Sequence, residues 1–323
     1  MKAIVQDRYG PADVLKLEDI EIPGIADDEV LVRVHSAGVD RGVWHLMTGL
    51  PYLVRIMGFG LLRPKTRTRG LDFAGRVEGV GNGVTEFKPG DDVFGTCVGS
   101  FAEYAAARED MLVRKPENLS FEQAAAVPTS GVAALQALRD KGQLRQGQNA
   151  LIIGASGGVG SFAVQIAKAL EAHVTGVCST AKMDLVRSIG ADAIIDYTRE
   201  DFADGGAQYD VIIDIAGNRP LSHLRRALTP TGTLVIVGGE GGGRWLGGID
   251  RQLRASVVSP LVRQNLRSLF SEPRRSDLQF LKELAEEGKV EPVIDKTFTL
   301  SDAPSAIHYL ENGQSRGKVV IAV

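Results

Sequence analysis

The chain has 323 residues, 44% of them hydrophobic, and a formal net charge of -3 at pH 7. That length favours two domains over one, and near-neutrality gives no global attraction to nucleic acid or to an anionic membrane, so either partner would need a local patch. Two cysteines, Cys97 and Cys178, are too few for a disulfide framework or a four-cysteine zinc lobe; MKAIVQDRYG lacks an apolar leader core, and no uncharged run reaches the ~18 residues of a bilayer span, so a soluble cytoplasmic protein is expected.

Short alternating segments such as EVLVRV and GRVEGV, broken by turn signals at GNG (81–83) and PGDD (89–92), predict a mostly β first domain over residues 1–122. Within it, LPYLVRIMGFGLLRPKTRTRG (50–70) runs apolar and then basic. It is either a buried helix with a loop or a lid that admits hydrophobic substrates, and Tyr52 is its candidate functional residue. From Ser120 the pattern changes: SFEQAAAVPTSGVAALQALRD opens on a serine cap and has an Ala/Leu-rich body. Five apolar strands follow, ALIIG, HVTGV, AIID, DVIIDI and TLVIV, alternating with helical segments, with a sixth at NLRSLF. That alternation predicts a parallel doubly wound sheet over 123–292. Residues 293–323 return to a strand, a short helix and the closing strand GKVVIAV, which rejoins the first domain. The expected fold class is α/β.

The turn Gly154, Ala155, Ser156, Gly157, Gly158, Val159, Gly160 links the strand ALII to the helical stretch SFAVQIAKAL. In that context Gly157 brings backbone close to a pyrophosphate, Gly160 permits close helix packing, and the helix N-terminus supplies N–H groups to phosphate, so a Rossmann dinucleotide site is expected. An acidic residue at the end of the second strand would bind a ribose 2′-OH and repel a 2′-phosphate. Here that strand ends VCSTAK, and Ser179, Thr180 and Lys182 are donors suited to the 2′-phosphate of NADPH. Ser179 or Thr180 also suits capping of the following helix. After the fifth strand, GGEGGGRWLGG offers Gly238 and Gly239 for close approach to the nicotinamide.

The order of a β-rich domain, GASGGVGSFAVQIAKAL, VCST, LVRSIGADAIIDY and a final RGKVV resembles the medium-chain dehydrogenase/reductase superfamily, in its zinc-free quinone reductase (zeta-crystallin-like) branch, over nearly the whole chain. The resemblance implies a GroES-like catalytic domain (1–122 and 293–323), a Rossmann domain (123–292) and a substrate cleft between them. It further implies that Tyr197 and Lys182 bind the adenosine phosphate end, and that the protein is a homodimer paired through the sixth strand.

In the zinc enzymes of that superfamily the catalytic metal is held where this chain has Asp40, Leu71 and Thr129. Leu71 and Thr129 are not such ligands, so no zinc is expected and no Lewis acid stabilises an alkoxide. The chemistry left is hydride transfer to a small, hydrophobic, electrophilic acceptor, a quinone or an α,β-unsaturated carbonyl. Asp40 stands where the zinc-free branch usually has Asn; it is a candidate catalytic residue that either accepts from a ribose hydroxyl or orients a neighbour, although an ionised carboxylate there opposes a developing oxyanion. His45 matches the relay histidine of the zinc enzymes; it is either a hydrogen-bond or proton donor in the cleft or a packing residue beside Trp44. Thr129 either touches the nicotinamide region or caps a helix. Arg251, Arg254, Arg263 and Arg267 have no aromatic platform among them and are assigned to a solvated or subunit-facing surface, with no nucleic-acid partner. The alternative to an enzyme is a protein that binds NADPH as a scaffold or regulator with weak catalysis.

Overall fold

A computed structural model describes residues 1–217, 219–238 and 243–323. The chain divides into two compact units, Met1–Val132 with Pro273–Val323, and Ala133–Glu272.

The first unit opens with β1 (Lys2–Val5) and β2 (Lys16–Asp19), which pair antiparallel. β3 (Glu29–Val39) alternates inward valines with outward polar residues and is followed by α1 (Arg41–Thr48) and the short α2 (Tyr52–Val54). β4 (Asp72–Val80), β5 (Asp92–Thr96), β6 (Tyr104–Arg108) and β7 (Leu112–Arg114) continue the sheet. Val30, Val32, Val34, Phe73, Val77, Val93 and Leu112 form the core beneath it, the outcome expected of strands with period-two apolar spacing. α3 (Phe121–Ala125) begins at Ser120, whose side chain accepts from Gln123 N–H while the Gln123 side chain accepts from Ser120 N–H, a reciprocal capping box. α4 (Pro128–Leu135) leads into the second unit.

That unit contains β8 (Asn149–Ile153), α5 (Gly158–Ala169), β9 (His173–Cys178), α6 (Met183–Ser188), β10 (Ala193–Asp196), β11 (Tyr209–Asp214), α7 (Leu221–Arg226), β12 (Leu228–Ile236), α8 (Ile249–Val258) and β13 (Asn265–Ser268). All six strands are parallel, in the order β10-β9-β8-β11-β12-β13. The six expected strands are all present. The chain reverses its direction of winding between β8 and β11, and ligands of doubly wound sheets bind at the strand C-termini beside such a point. Leu151, Ile153, Val177, Ile212, Leu234 and Ile236 form the core of this unit.

The chain then returns to the first unit through α9 (Arg275–Glu286), β14 (Ile294–Thr299), α10 (Ala303–Glu311) and β15 (Lys318–Ala322). β15 pairs antiparallel with β3 and parallel with β14, so the seven-stranded sheet runs β14-β15-β3-β4-β5-β7, with β6 also on β3.

Candidate active site

In the second unit, Gly154 to Gly157 turn the chain from β8 into α5. Gly154 sits at φ +88, in the left-handed region that favours glycine. A Cβ on Gly160 would lie 2.1 Å from the Gly154 carbonyl oxygen, so only glycine lets the first turn of α5 pack on the loop. A Cβ on Gly157 meets nothing closer than 3.5 Å; its value is an open backbone at the helix start. Gly157 is the N-cap and brings no side chain, so the first-turn N–H groups, those of Gly158, Val159 and Gly160 among them, lack intrahelical acceptors. Ala155 and Ser156 are buried in the turn. The turn thus presents backbone donors of the kind that suit a phosphate.

At the end of β9, Ser179 occupies the N-cap of a short helical turn over 180–182, but its side chain makes no capping bond. The Thr180 hydroxyl donates to buried Asp196 at the end of β10 and lies 3.2 Å from the Thr198 hydroxyl. Capping is thus realised by neither side chain, and Thr180 has already committed its proton to a carboxylate. Asp196 is held below the ordinary carboxylate range by the Thr180 and Thr198 hydroxyls. The Lys182 ammonium lies near enough to the Cys178 thiol to oppose the upward push that burial gives it. Tyr197 is 53% exposed, its N–H donating to the Cys178 carbonyl at 3.1 Å. Ser179, Lys182 and Tyr197 therefore gather around one strand end.

Two further groups close this face of the unit. A Cβ on Gly238 would lie 2.3 Å from the Ile215 carbonyl oxygen, so the loop after β12 presses backbone against backbone. Gly239 lies outside the described residues. Arg251 donates to Asp214, fully buried at the end of β11, whose other oxygen accepts Gly217 N–H at 3.1 Å. The expected solvated face for Arg251 is corrected by this ion pair. Arg267 is likewise tied, to the Lys141 carbonyl at 2.8 Å, whereas Arg254 is exposed beside Asp250.

In the first unit, Asp40 is the N-cap of α1: its Oδ1 accepts Gly42 N–H at 2.7 Å and Val43 N–H at 3.3 Å. Its Oδ2 is buried and has no hydrogen-bond partner among the described residues. Near it lies Asp72, fully buried at the start of β4 and absent from the sequence-based candidates. Gly38 faces Asp72 across the β3–β4 ladder, and a Cβ there would lie 2.9 Å from Asp72 Cβ and 2.5 Å from the Ala125 carbonyl oxygen. Asp72 accepts the Thr129 hydroxyl at one oxygen and Thr129 N–H at the other, at 3.0 Å, while Lys318 Nζ stands 3.8 Å away and donates to Ser130 Oγ at 3.0 Å. Burial and the neighbouring Asp40 charge push Asp72 up to about 7, against the pull of Lys318 and Thr129. Thr129 lies inside α4 rather than at a cap; its hydroxyl serves Asp72.

His45 lies on α1 with Nδ1 2.6 Å from the Leu50 carbonyl oxygen and its ring edge-on to Trp44 at 4.9 Å. With Nδ1 donating to that carbonyl, Nε2 of the neutral ring is an acceptor, and only the imidazolium donates from it. Tyr52 lies beneath the Arg55 guanidinium at 4.8 Å. The segment that follows is not a buried helix: Ile56, Leu61 and Leu62 are 66, 65 and 89% exposed.

A zinc ion does not fit the positions that hold it in zinc enzymes. Asp40 Oδ1 is given to backbone N–H groups, Leu71 is hydrocarbon, and the Thr129 hydroxyl is given to Asp72. Among the described residues no group of three His, Cys, Asp or Glu side chains is placed to hold a metal ion.

A parallel doubly wound sheet with a glycine turn at its switch point, in one chain with a mostly antiparallel sheet that includes the last strand, defines a two-part dinucleotide-binding protein. Models of an alcohol dehydrogenase GroES-like domain and of a zinc-binding dehydrogenase match residues 26–117 and 189–321. The chain is 31% identical to the chloroplast envelope quinone oxidoreductase homolog of Arabidopsis thaliana, over 99% of this chain and 98% of that protein. It is 34% identical to the NADPH-dependent alkenal/one oxidoreductase, chloroplastic, of the same plant, over 99% of this chain and 79% of that protein. The solved quinone oxidoreductase of Coxiella burnetii superposes with a TM-score of 0.84 at 31% identity, covering 100% of this chain and 99% of that one. The chain belongs to the quinone oxidoreductase branch of the medium-chain dehydrogenase/reductase superfamily and is an oxidoreductase.

Proposed function

We propose that this protein is an NADPH-dependent, zinc-independent reductase of quinones or α,β-unsaturated carbonyls. The observation that carries the cofactor choice is the end of β9, where the chain itself supplies Cys178, Ser179, Thr180 and Lys182 and no acid, the neighbouring Asp196 of β10 being occupied by Thr180 and Thr198. When bound, the nicotinamide supplies a hydride. The protein's own part is to seat the pyrophosphate on the N–H groups after Gly157, to set Ser179, Lys182 and Tyr197 around the 2′-phosphate, and to bring Gly238 backbone close to the nicotinamide. In the first unit the Thr129 hydroxyl donates to Asp72; protonation of Asp72 reverses that bond, which frees the Thr129 hydroxyl to donate to an oxyanion developing on the acceptor. His45 Nε2, Asp40 and Tyr52 complete the polar groups assigned to the substrate side.

A homodimer is part of this reading. β13 is an edge strand, and Leu253, Val257 and Leu261, spaced by one helical turn each, are 56, 70 and 80% exposed beside it, a surface suited to a second copy. Two unpaired cysteines suit a cytoplasmic, reducing compartment.

The test is NADPH and NADH oxidation with a panel of quinones and enones, alongside dissociation constants for both cofactors. Turnover with NADPH preferred is expected, and Lys182→Ala should weaken NADPH by roughly 10- to 150-fold while barely touching NADH. Equal losses for the two cofactors would remove the 2′-phosphate assignment; tight NADPH binding without turnover on any acceptor would favour the scaffold reading.

A further inference from the structure

An anionic partner surface requires a local patch on a chain of this charge, and residues 55–65 supply one. Ile56, Met57, Phe59, Leu61 and Leu62 are 66, 61, 45, 65 and 89% exposed. Their backbone is pinned from behind. Tyr9 Oη donates to the Phe59 carbonyl at 2.9 Å and to that of Gly60 at 2.6 Å, and Lys65 N–H donates to the Phe59 carbonyl at 2.9 Å. Arg55 donates to the Gly49 carbonyl at 2.9 Å and stacks on the ring of Tyr9 at 4.3 Å. Gly60 sits at φ +111, and a Cβ there would lie 2.1 Å from the Arg63 carbonyl oxygen. The loop therefore holds its apolar side chains outward in a fixed turn.

The charges on the segment itself are of one sign. No Asp or Glu occurs between Asp40 and Asp72. Arg67 is paired with Asp7 and Glu18, but Arg63 and Lys65 are exposed and have no ion-pair partner among the described residues. An apolar projection flanked by free cations, with no carboxylate on the segment, matches a bilayer interface: the acyl boundary accepts the apolar side chains and lipid phosphates accept the cations. We propose that residues 55–65 dock the protein peripherally on an anionic lipid surface, with Ile56, Met57, Phe59, Leu61 and Leu62 entering the headgroup boundary and Arg63 and Lys65 meeting phosphate. Among the described residues no helix is long and apolar enough to cross a membrane, so this attachment is interfacial, reversible and weakened by salt.

Full-length protein is sedimented with phosphatidylcholine vesicles and with vesicles in which about one third of the lipid is phosphatidylglycerol. Binding is expected on the anionic vesicles, falling about tenfold or more in Leu61→Asp with Leu62→Asp and in Arg63→Glu with Lys65→Glu. Circular dichroism and NADPH affinity should stay as in wild type, because these four side chains are exposed and lie outside the cofactor turn. Leu62→Trp gives an independent reading, a blue shift of emission on anionic vesicles. The proposal is overturned if wild type fails to bind, or if wild type and both charge and apolar variants bind alike. It is also overturned if Leu61→Asp with Leu62→Asp abolishes self-association in the absence of lipid, which assigns the face to a second copy. A changed KM for hydrophobic acceptors without vesicle binding assigns it to a lid and overturns it too. The vesicle-binding, emission and self-association outcomes do not depend on which cofactor or acceptor the enzyme uses.

Discussion

The glycine turn after β8 and the acid cluster around Asp72 are both polar sites set in apolar surroundings, and they manage burial by opposite means. The turn presents backbone N–H groups, which carry no ionisable proton, and it holds its shape because Gly154 adopts a left-handed φ and Gly160 has no Cβ to collide with the Gly154 carbonyl. The cluster presents side chains that must balance one another: two carboxylates, one ammonium and the hydroxyls of Thr129 and Ser130. The first kind of site is indifferent to pH and intolerant of added atoms. The second responds to every change of charge.

The largest test of that contrast removes the ammonium. Lys318→Met leaves Asp72 buried without its counter-ion and should cost about 3–5 kcal/mol near pH 8. The loss should shrink near pH 5, because Asp72, pushed up to about 7, is then protonated and has no charge to compensate. The wild type shows the same linkage. A carboxyl whose folded value lies above its unfolded value of about 3.9 contributes stability that is full below about pH 4 and lost as pH rises through about 7. Urea midpoints at the two pH values, for wild type, Lys318→Met and Asp72→Asn, measure this directly. A loss in Lys318→Met that is independent of pH would refute it.

Next in size is an added atom in the turn. Gly160→Ala places a Cβ where the Gly154 carbonyl stands at 2.1 Å, and backbone must move to admit it, at about 1–3 kcal/mol. The move displaces the N–H groups of α5, so NADPH affinity should fall along with thermal stability, and neither loss should vary between about pH 5 and pH 8. A pH-dependent loss would erase the distinction drawn here.

The two sites also differ in how far they can be read from the chain. The glycine turn is contained in seven consecutive residues between an apolar strand and a helix, and the six strands of its sheet are runs of apolar residues bounded by turns. The acid cluster is assembled from β4, α4 and β15, which meet only in the folded sheet. Leu71 drew attention as a lost ligand position while Asp72, one residue on, holds the cluster together. Lys318 was legible only as a charge at the head of the buried strand VVIA, a signal that a partner must exist without naming it. Asp40 was weighed for catalysis, whereas its Oδ1 does the local work of an N-cap. The Arg251–Asp214 pair and the commitment of Thr180 to Asp196 escaped for the same reason: both partners lie on different elements.

The smallest change sharpens the comparison most, because it alters charge while leaving shape in place. Asp40→Asn keeps an oxygen to accept Gly42 and Val43 N–H, and Asn is as good an N-cap as Asp, so helix α1 should lose no more than about 0.5 kcal/mol. What changes is the neighbour. Removing the like charge lowers Asp72 from about 7, so its protonated form is lost at a lower pH. Two effects on turnover then oppose each other. A carboxylate that repels a developing oxyanion is gone, which raises the rate, while protonated Asp72, the donor to Thr129, becomes scarcer at neutral pH. Below the lowered value Asp72 is protonated in both proteins and only the first effect remains, so Asp40→Asn should exceed wild type near pH 5 and lose its advantage as pH rises, with the alkaline limb of the pH profile moved to lower pH. Asp40→Ala separates charge from cap. It should move the same limb and also cost about 1 kcal/mol of stability. An alkaline limb that stays in place in both variants would show that Asp72 does not feel Asp40 or that the proton on the acid cluster plays no part in turnover, and either result removes this account.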